Sequence, residues 1–183
     1  MNKIWFLEGR NLGLRGVTKK DLNGPYFEWL NNPRVTRYLQ SGLFPNTKEK
    51  MKSFFKSCAT GTDHLFLAII HKRSGRHVGN IKLGPIWWAH HFAEIGILIG
   101  DERFWGKGYA REATELLLEH AFNRMNLHHI TLGVVEANKP ALKCYRKMGF
   151  RVEGRYREHF RLNGRYGDVI LMGMLEKEFR SKR

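Results

Sequence analysis

Arg103, Gly106 and Gly108 stand in the pattern R-x-x-G-x-G between an apolar run, Ala93 to Ile99, and an Ala/Glu/Leu-rich stretch that starts at Tyr109 and reaches Arg124. Glycines at that spacing let a backbone approach an anion with no Cβ in the way. The free amides and macrodipole of the helix that follows favour negative charge, so a diphosphate is the natural guest. The same glycines are equally ordinary turn residues at a strand-to-helix junction, and a second pattern shifts the balance. It runs from Asn138 to Phe150, thirty residues beyond Gly108, and reads N-x-x-A-x-x-x-Y-x-x-x-G-F through Ala141, Tyr145 and Gly149. A capping Asn, Pro140 in the first turn and a glycine stop make it a short helix.

These residues need a scaffold, and the flanking periodicities supply one. Leu12 to Val17 reads as a first strand, and Thr18 with Asp21 as a capping box opening a helix that carries Tyr26, Phe27, Trp29 and Leu30. Asn46 with Glu49 opens a second helix, Thr47 to Ala59, with Met51, Phe54 and Phe55 on one core-facing side. Leu65 to Ile70 and His77 to Leu83 form a hairpin around Ser74-Gly75, followed by the strand that holds Glu94. Ile130 to Val135 lies between the two motifs, and Arg151 to Phe160 with Asp168 to Leu175 flank a turn at Asn163-Gly164. The order β-α-α-β-β-β-α-β-α-β-β predicts a mixed α/β sheet.

The chain has 183 residues, 42% of them hydrophobic, and no linker-like or repetitive segment, so one domain over residues 1–183 is expected. The Met1 to Glu8 segment is too short in apolar residues for a signal sequence and no 18-residue apolar run occurs, which predicts a cytoplasmic protein with no membrane partner. Cys58 and Cys144 fall in separate predicted helices, and none of the nine histidines sits at metal-ligand spacing, so reduced thiols and no metal are expected. A net charge of +15 implies an anionic ligand or partner, but the basic residues are scattered, as in His71-Lys72-Arg73 and Arg180 to Arg183. Nucleic acid is therefore an unlikely partner.

The two motifs, in order and spacing, resemble the GNAT superfamily of acetyl-coenzyme A dependent N-acetyltransferases; Asn11 to Val17, Trp29 to Pro33 and Gly79 to Ile81 are similar to its RimJ/RimL-like branch. The resemblance implies a mostly antiparallel central sheet flanked by helices and split near the acetyl-CoA site. It places Arg103, Gly106, Lys107, Gly108, Tyr109 and Ala110 around the diphosphate, and the backbone of Ile97 and Ile99 along the pantetheine arm like an added strand. Asn138 and Lys143 fall near the pantetheine or nucleotide. Tyr145 takes the place of the acid that protonates the coenzyme sulfur, with a half-buried helix aromatic as the plain alternative. Acyl transfer also requires an amine freed of its proton. Glu94 is the leading base, because a carboxylate in an apolar strand is costly to bury; a carboxylate satisfied by nearby amides is the alternative, and His90 and His91 are rivals.

For the acceptor, Trp87, Trp88, His90 and His91 precede the Glu94 strand, and Tyr38 lies near the usual acceptor wall; these side chains suit stacking on a sugar or base, loop anchoring, or a homodimer contact. The lead expectation is transfer of acetyl to an amino sugar on a nucleotide carrier. A protein N-terminus, as on ribosomal proteins, is the second acceptor, and a polyamine is disfavoured by the positive charge. A non-catalytic coenzyme A or nucleic-acid binding module is the reading from another class.

Overall fold

The computed structural model describes residues 4–181. The first three residues and Lys182-Arg183, the ends of the expected 1–183 domain and of the basic tail, lie outside the described residues. An outer hairpin of β1 (Leu7–Glu8) and β2 (Leu12–Gly16) leads to α1 (Lys19–Leu22), α2 (Pro25–Leu30) and α3 (Lys48–Thr60). Next come β3 (Leu65–His71), β4 (Arg76–Trp87), β5 (Phe92–Ile99) and α4 (Tyr109–Asn123). The chain then runs through β6 (His129–Val135), α5 (Lys139–Met148), β7 (Arg151–Leu162), β8 (Arg165–Leu175) and α6 (Glu176–Arg180). The strands form a single sheet ordered β1-β2-β3-β4-β5-β6-β8-β7, antiparallel except between β5 and β6.

That is the mixed, mostly antiparallel α/β sheet expected, with three differences. β1 and α6 are too short to carry a periodicity. The first helix is two, because Gly24-Pro25 interrupts it and Pro25, lacking an amide hydrogen, starts α2 instead. The second helix is capped by Thr47, whose Oγ1 accepts from Lys50 N at 3.2 Å. Asn46 is buried and turns inward, its Nδ2 donating to Leu30 O at 2.9 Å and Ser41 O at 2.7 Å. It staples the segment between α2 and α3.

Helices cover both faces. α4 buries Ala113, Leu117, Leu118, Ala121 and Phe122, a helical stripe, on the same core as Leu12, Ile81, Ile130 and Met172. The other face holds Leu22, Tyr26, Trp29 and Met51 against Ala68 and Ile70 of β3, so successive β3 residues feed opposite cores. Phe54, expected in this core, is only partly covered, edge-on to Phe66 at 5.4 Å.

Two contacts fix α1 and α2 against the sheet. Burial pushes the Asp21 carboxyl up, but Arg15, at 2.7 Å through each oxygen, and the amide and hydroxyl of Thr18 outweigh it and hold it at about 2. An unfolded Asp titrates at about 4, so this contact stabilises the fold above that pH and is lost as pH falls from about 4 through 2. Thermal midpoints should decline over that window in the wild type and less steeply in Asp21→Asn. On α2, the Trp29 indole lies where a Cβ on Gly100 would project. Gly100→Ala is therefore expected to cost about 1–3 kcal/mol, read as a lower denaturant midpoint.

The sheet opens in its middle. β5 and β6 pair only at Phe92↔His129, Ala93↔Ile130 and Glu94↔Thr131. Beyond Glu94, β5 keeps only β4 as a neighbour while β6 continues along β8.

Candidate active site

The open edge of β5 exposes a defined set of backbone groups. Gly79 pairs with Ile99 and Asn80 with Leu98, and Gly100 N donates to Val78 O at 2.9 Å. In an antiparallel ladder residues alternate between bonding the neighbour and facing away, so Gly96 and Leu98 bond β4 while Ile97 and Ile99 turn their polar groups outward. The Trp105 indole confirms the direction, since its Nε1 donates to Ile99 O at 2.7 Å. The Ile99 carbonyl is thus already used, leaving the Ile99 amide and both groups of Ile97 for an extended ligand. Trp105 carried no sequence signal for this role.

The glycine loop closes the end of that edge. Gly106 and Gly108 have φ of +70° and +80°, and a Cβ on either would meet nothing within 4 Å. The backbone angle therefore requires glycine, and the space above is open to a ligand. Gly108 precedes α4, whose first amides, those of Tyr109, Ala110 and Arg111, have no acceptor within the helix. Lys107 Nζ sits 5.7 Å from the Phe104 ring and is otherwise exposed. Arg103 is already paired. Its Nε and Nη2 bind Asp101 at 2.8 and 2.6 Å, and it holds the Asp101 carboxyl below the usual carboxylate range. It faces the loop as half of an ion pair with Asp101.

α5 begins where β6 ends. Asn138 Oδ1 caps it through Ala141 N at 3.4 Å, so the side-chain oxygen serves the helix, and only Nδ2 is without a partner among the described residues. Gly149, at φ +105°, ends the helix. Between them Tyr145 packs edge-on to Phe150 at 5.5 Å, within the core that also takes Ile97 and Ile99. Its phenol has no hydrogen-bond partner among the described residues, and burial pushes its pKa well above the ordinary tyrosine value. It keeps its proton at neutral pH. Cys144 faces α4, near Arg111 and Glu115, with its thiol pushed up by burial. Lys143 lines a groove of about 560 Å³ with Leu142, Arg155 and Ile170 beside β8.

Glu94 is exposed, on the same face of β5 as Gly96, while Ala93 and Ile95 are buried. The cost of burial that singled it out does not arise, because alternation turns it out of the core. What it retains is position, at the last residue pair before β5 and β6 part. Trp87, Trp88, His90 and His91 cluster at the end of β5 opposite the glycine loop. They sit at the start of β5, about 23 Å along the strand from Ile99. Trp87 stacks on Phe92 at 4.3 Å, Trp88 Nε1 donates to Thr62 O at 3.0 Å, and His91 Nδ1 lies 3.1 Å from Asn126 O. His90, exposed, lies 6.4 Å from Phe92 in the same cluster. Trp87, Trp88 and His91 anchor the loop through these contacts. Tyr38 lies against the start of α5: its hydroxyl donates to Ala137 O, 3.4 Å away, immediately before the α5 cap. Arg34 ties the same segment to the glycine loop through Glu102 at 2.8 Å.

Among the described residues no group of three or more His, Cys, Asp or Glu is placed to hold a metal, and no helix is long and apolar enough to cross a membrane.

Comparison with known proteins agrees with this geometry. A sequence model described as an acetyltransferase (GNAT) domain matches residues 11–151. Spermidine N(1)-acetyltransferase of Escherichia coli K12 is 30% identical over 167 residues, covering 91% of this chain and 87% of that protein. The enzyme of the same name from Vibrio cholerae is 31% identical over 169 residues, 92% of this chain and 95% of its own. A crystal structure of Vibrio cholerae spermidine N-acetyltransferase with CoA and spermine superposes with a TM-score of 0.84 at 27% identity, covering 93% and 98% of the two chains. The acceptor in these names is a small-molecule amine, not a protein N-terminus, and the names do not carry the RimJ/RimL branch expected from the sequence. An open strand edge, a glycine loop at a helix start and this match across most of the chain lead to one conclusion: the protein belongs to the GNAT acetyltransferase family and is an acetyl-CoA-dependent N-acetyltransferase.

Proposed function

We propose that this enzyme, one domain over 1–183, acetylates a small amine that also carries negative charge, with an amino sugar on a nucleotide carrier as the lead acceptor. The observation that carries this reading is the wall beside the site. Residues 31–47 contain no carboxylate; Arg34 is paired with Glu102, while Arg37, over the Tyr38 ring at 5.3 Å, has no ion pair among the described residues. A phosphate on the acceptor suits this wall, whereas a polycation gains nothing from it.

In the reaction the thioester lies along the outward groups of Ile97 and Ile99. The neutral amine attacks the thioester carbonyl, and the tetrahedral adduct collapses with cleavage of the carbon–sulfur bond. Tyr145 gives its proton to the departing thiolate, and the amine's surplus proton leaves to water or to the exposed Glu94. No covalent acyl-enzyme forms.

The relatives favour a second reading, acetylation of spermidine, with Glu94 facing an ammonium group. Free-thiol release separates the two. The first reading expects kcat/KM at least tenfold higher for a nucleotide-linked amino sugar than for spermidine, and a loss of tenfold or more with Arg37→Glu on the nucleotide-linked acceptor alone. Faster turnover of spermidine, further raised by Arg37→Glu, selects the polyamine.

A further inference from the structure

Three loops meet on the far side of the glycine loop from the open edge: the β1–β2 turn, the β3–β4 turn and the stretch entering α4. They enclose a cleft of about 790 Å³. Its floor is aromatic. His71 lies edge-on to Phe104 at 5.0 Å and tilted against Tyr109 at 5.3 Å, with its Nδ1 2.8 Å from Ser74 Oγ and its Nε2 3.3 Å from the Tyr109 hydroxyl. Its rim is cationic, formed by Arg10, Lys72, Arg73, Arg76, Arg103 and Lys107. Only two of these six have a carboxylate bound to them, Lys72 through Glu8 at 2.6 Å and Arg103 through Asp101. Arg10, Arg73 and Lys107 have no ion pair among the described residues, and Arg76 only feels Asp101 from a distance.

Like charges gathered around one concavity raise the local potential and repel one another unless an anion is shared between them. The bond-making step does not need this cleft, because the thioester lies beside the outward groups of β5; of the residues expected around the diphosphate, Arg103, Lys107 and Tyr109 alone line it. We propose that the cleft is a second ligand site that binds a nucleoside di- or triphosphate, its phosphates on the arginine rim and its base on the His71, Phe104 and Tyr109 floor. The floor rings, tilted 45–62° to one another, give a base face and edge contacts, and a rim with more cations than bound carboxylates favours two or more phosphates. Because Lys107 belongs to both this rim and the glycine loop, occupancy of the cleft also modulates the affinity for acetyl-CoA.

Calorimetric titration of ATP into the full chain already saturated with CoA tests the site, since the cofactor's own diphosphate seat is then filled. ATP is expected to bind at micromolar strength, inorganic tripolyphosphate at least fivefold more weakly, and Arg10→Glu/Arg73→Glu to weaken ATP tenfold or more while changing acetyl-CoA affinity less than threefold. Both side chains are exposed, so the fold is not at stake, and circular dichroism checks it. The proposal is overturned if ATP does not bind the CoA-saturated protein at 150 mM salt, or if it binds the double variant unchanged. It is equally overturned if the double variant loses acetyl-CoA in proportion, because the cleft is then the cofactor's own nucleotide seat. Equal affinity for tripolyphosphate and ATP removes the base from the floor and overturns the nucleoside assignment.

Discussion

Tyr145→Phe is expected to lower kcat/KM by about 10²- to 10³-fold, the range of a lost general acid. The change removes one oxygen from a side chain that packs against Phe150 and makes no hydrogen bond among the described residues, so the fold has little to lose. The phenol is the protonated form at neutral pH, because burial holds its titration far above its ordinary value. A group in that state can donate to a thiolate as charge develops, and it leaves acetyl-CoA affinity within about threefold when removed. Steady-state thiol release combined with a binding isotherm checks both halves. A loss below fivefold would return Tyr145 to the status of a helix aromatic.

Gly108→Val is expected to raise the Kd for acetyl-CoA at least 100-fold. At φ +80° a β-branched residue is strained by about 1–2 kcal/mol, and relief of that strain turns the α4 amides away from the diphosphate. Its methyls would also fill the space now open above the loop. Lys107→Ala is the contrast: an exposed single charge, its removal should raise Kd only severalfold. Calorimetry on both variants, with circular dichroism as a fold control, reads the difference. A Gly108→Val chain that binds like wild type would show that the glycines serve only the turn.

What the sequence disclosed and what it withheld divide along a physical line. Local signals were legible. Gly106, Gly108 and Gly149 adopt positive φ, Asn138 caps α5, and the order of elements gave a mixed α/β sheet, its mostly antiparallel character coming from the family resemblance. The opening between β5 and β6 was foreseen through the family resemblance alone, because it depends on which strands diverge after Glu94, a tertiary fact. Other residues take their surroundings from tertiary placement in the same way. Glu94 sits in an apolar run, yet period-two geometry turns it to solvent. Arg103 reads as a phosphate ligand until Asp101, two positions earlier, is seen to bind it bidentately. The Trp87 to His91 cluster lies at the end of β5 away from the glycine loop, held by Trp88 on Thr62 and His91 on Asn126. Trp105 on the Ile99 carbonyl and Tyr38 on Ala137 are contacts between segments, which no single window of residues can encode. The acceptor was least legible: charge disfavoured a polyamine, while the relatives at 30% and 31% identity carry spermidine in their names.

Residue-resolved amide hydrogen exchange with and without saturating CoA tests the central claim most directly. The account predicts that protection at Ile97, Ile99 and the Gly106 to Ala110 amides rises at least tenfold on binding, with Gly96 and Leu98, already bonded to β4, unchanged. Binding that leaves Ile97, Ile99 and the glycine loop exchanging as in the free protein would contradict it, and would place the cofactor somewhere other than the open edge of β5.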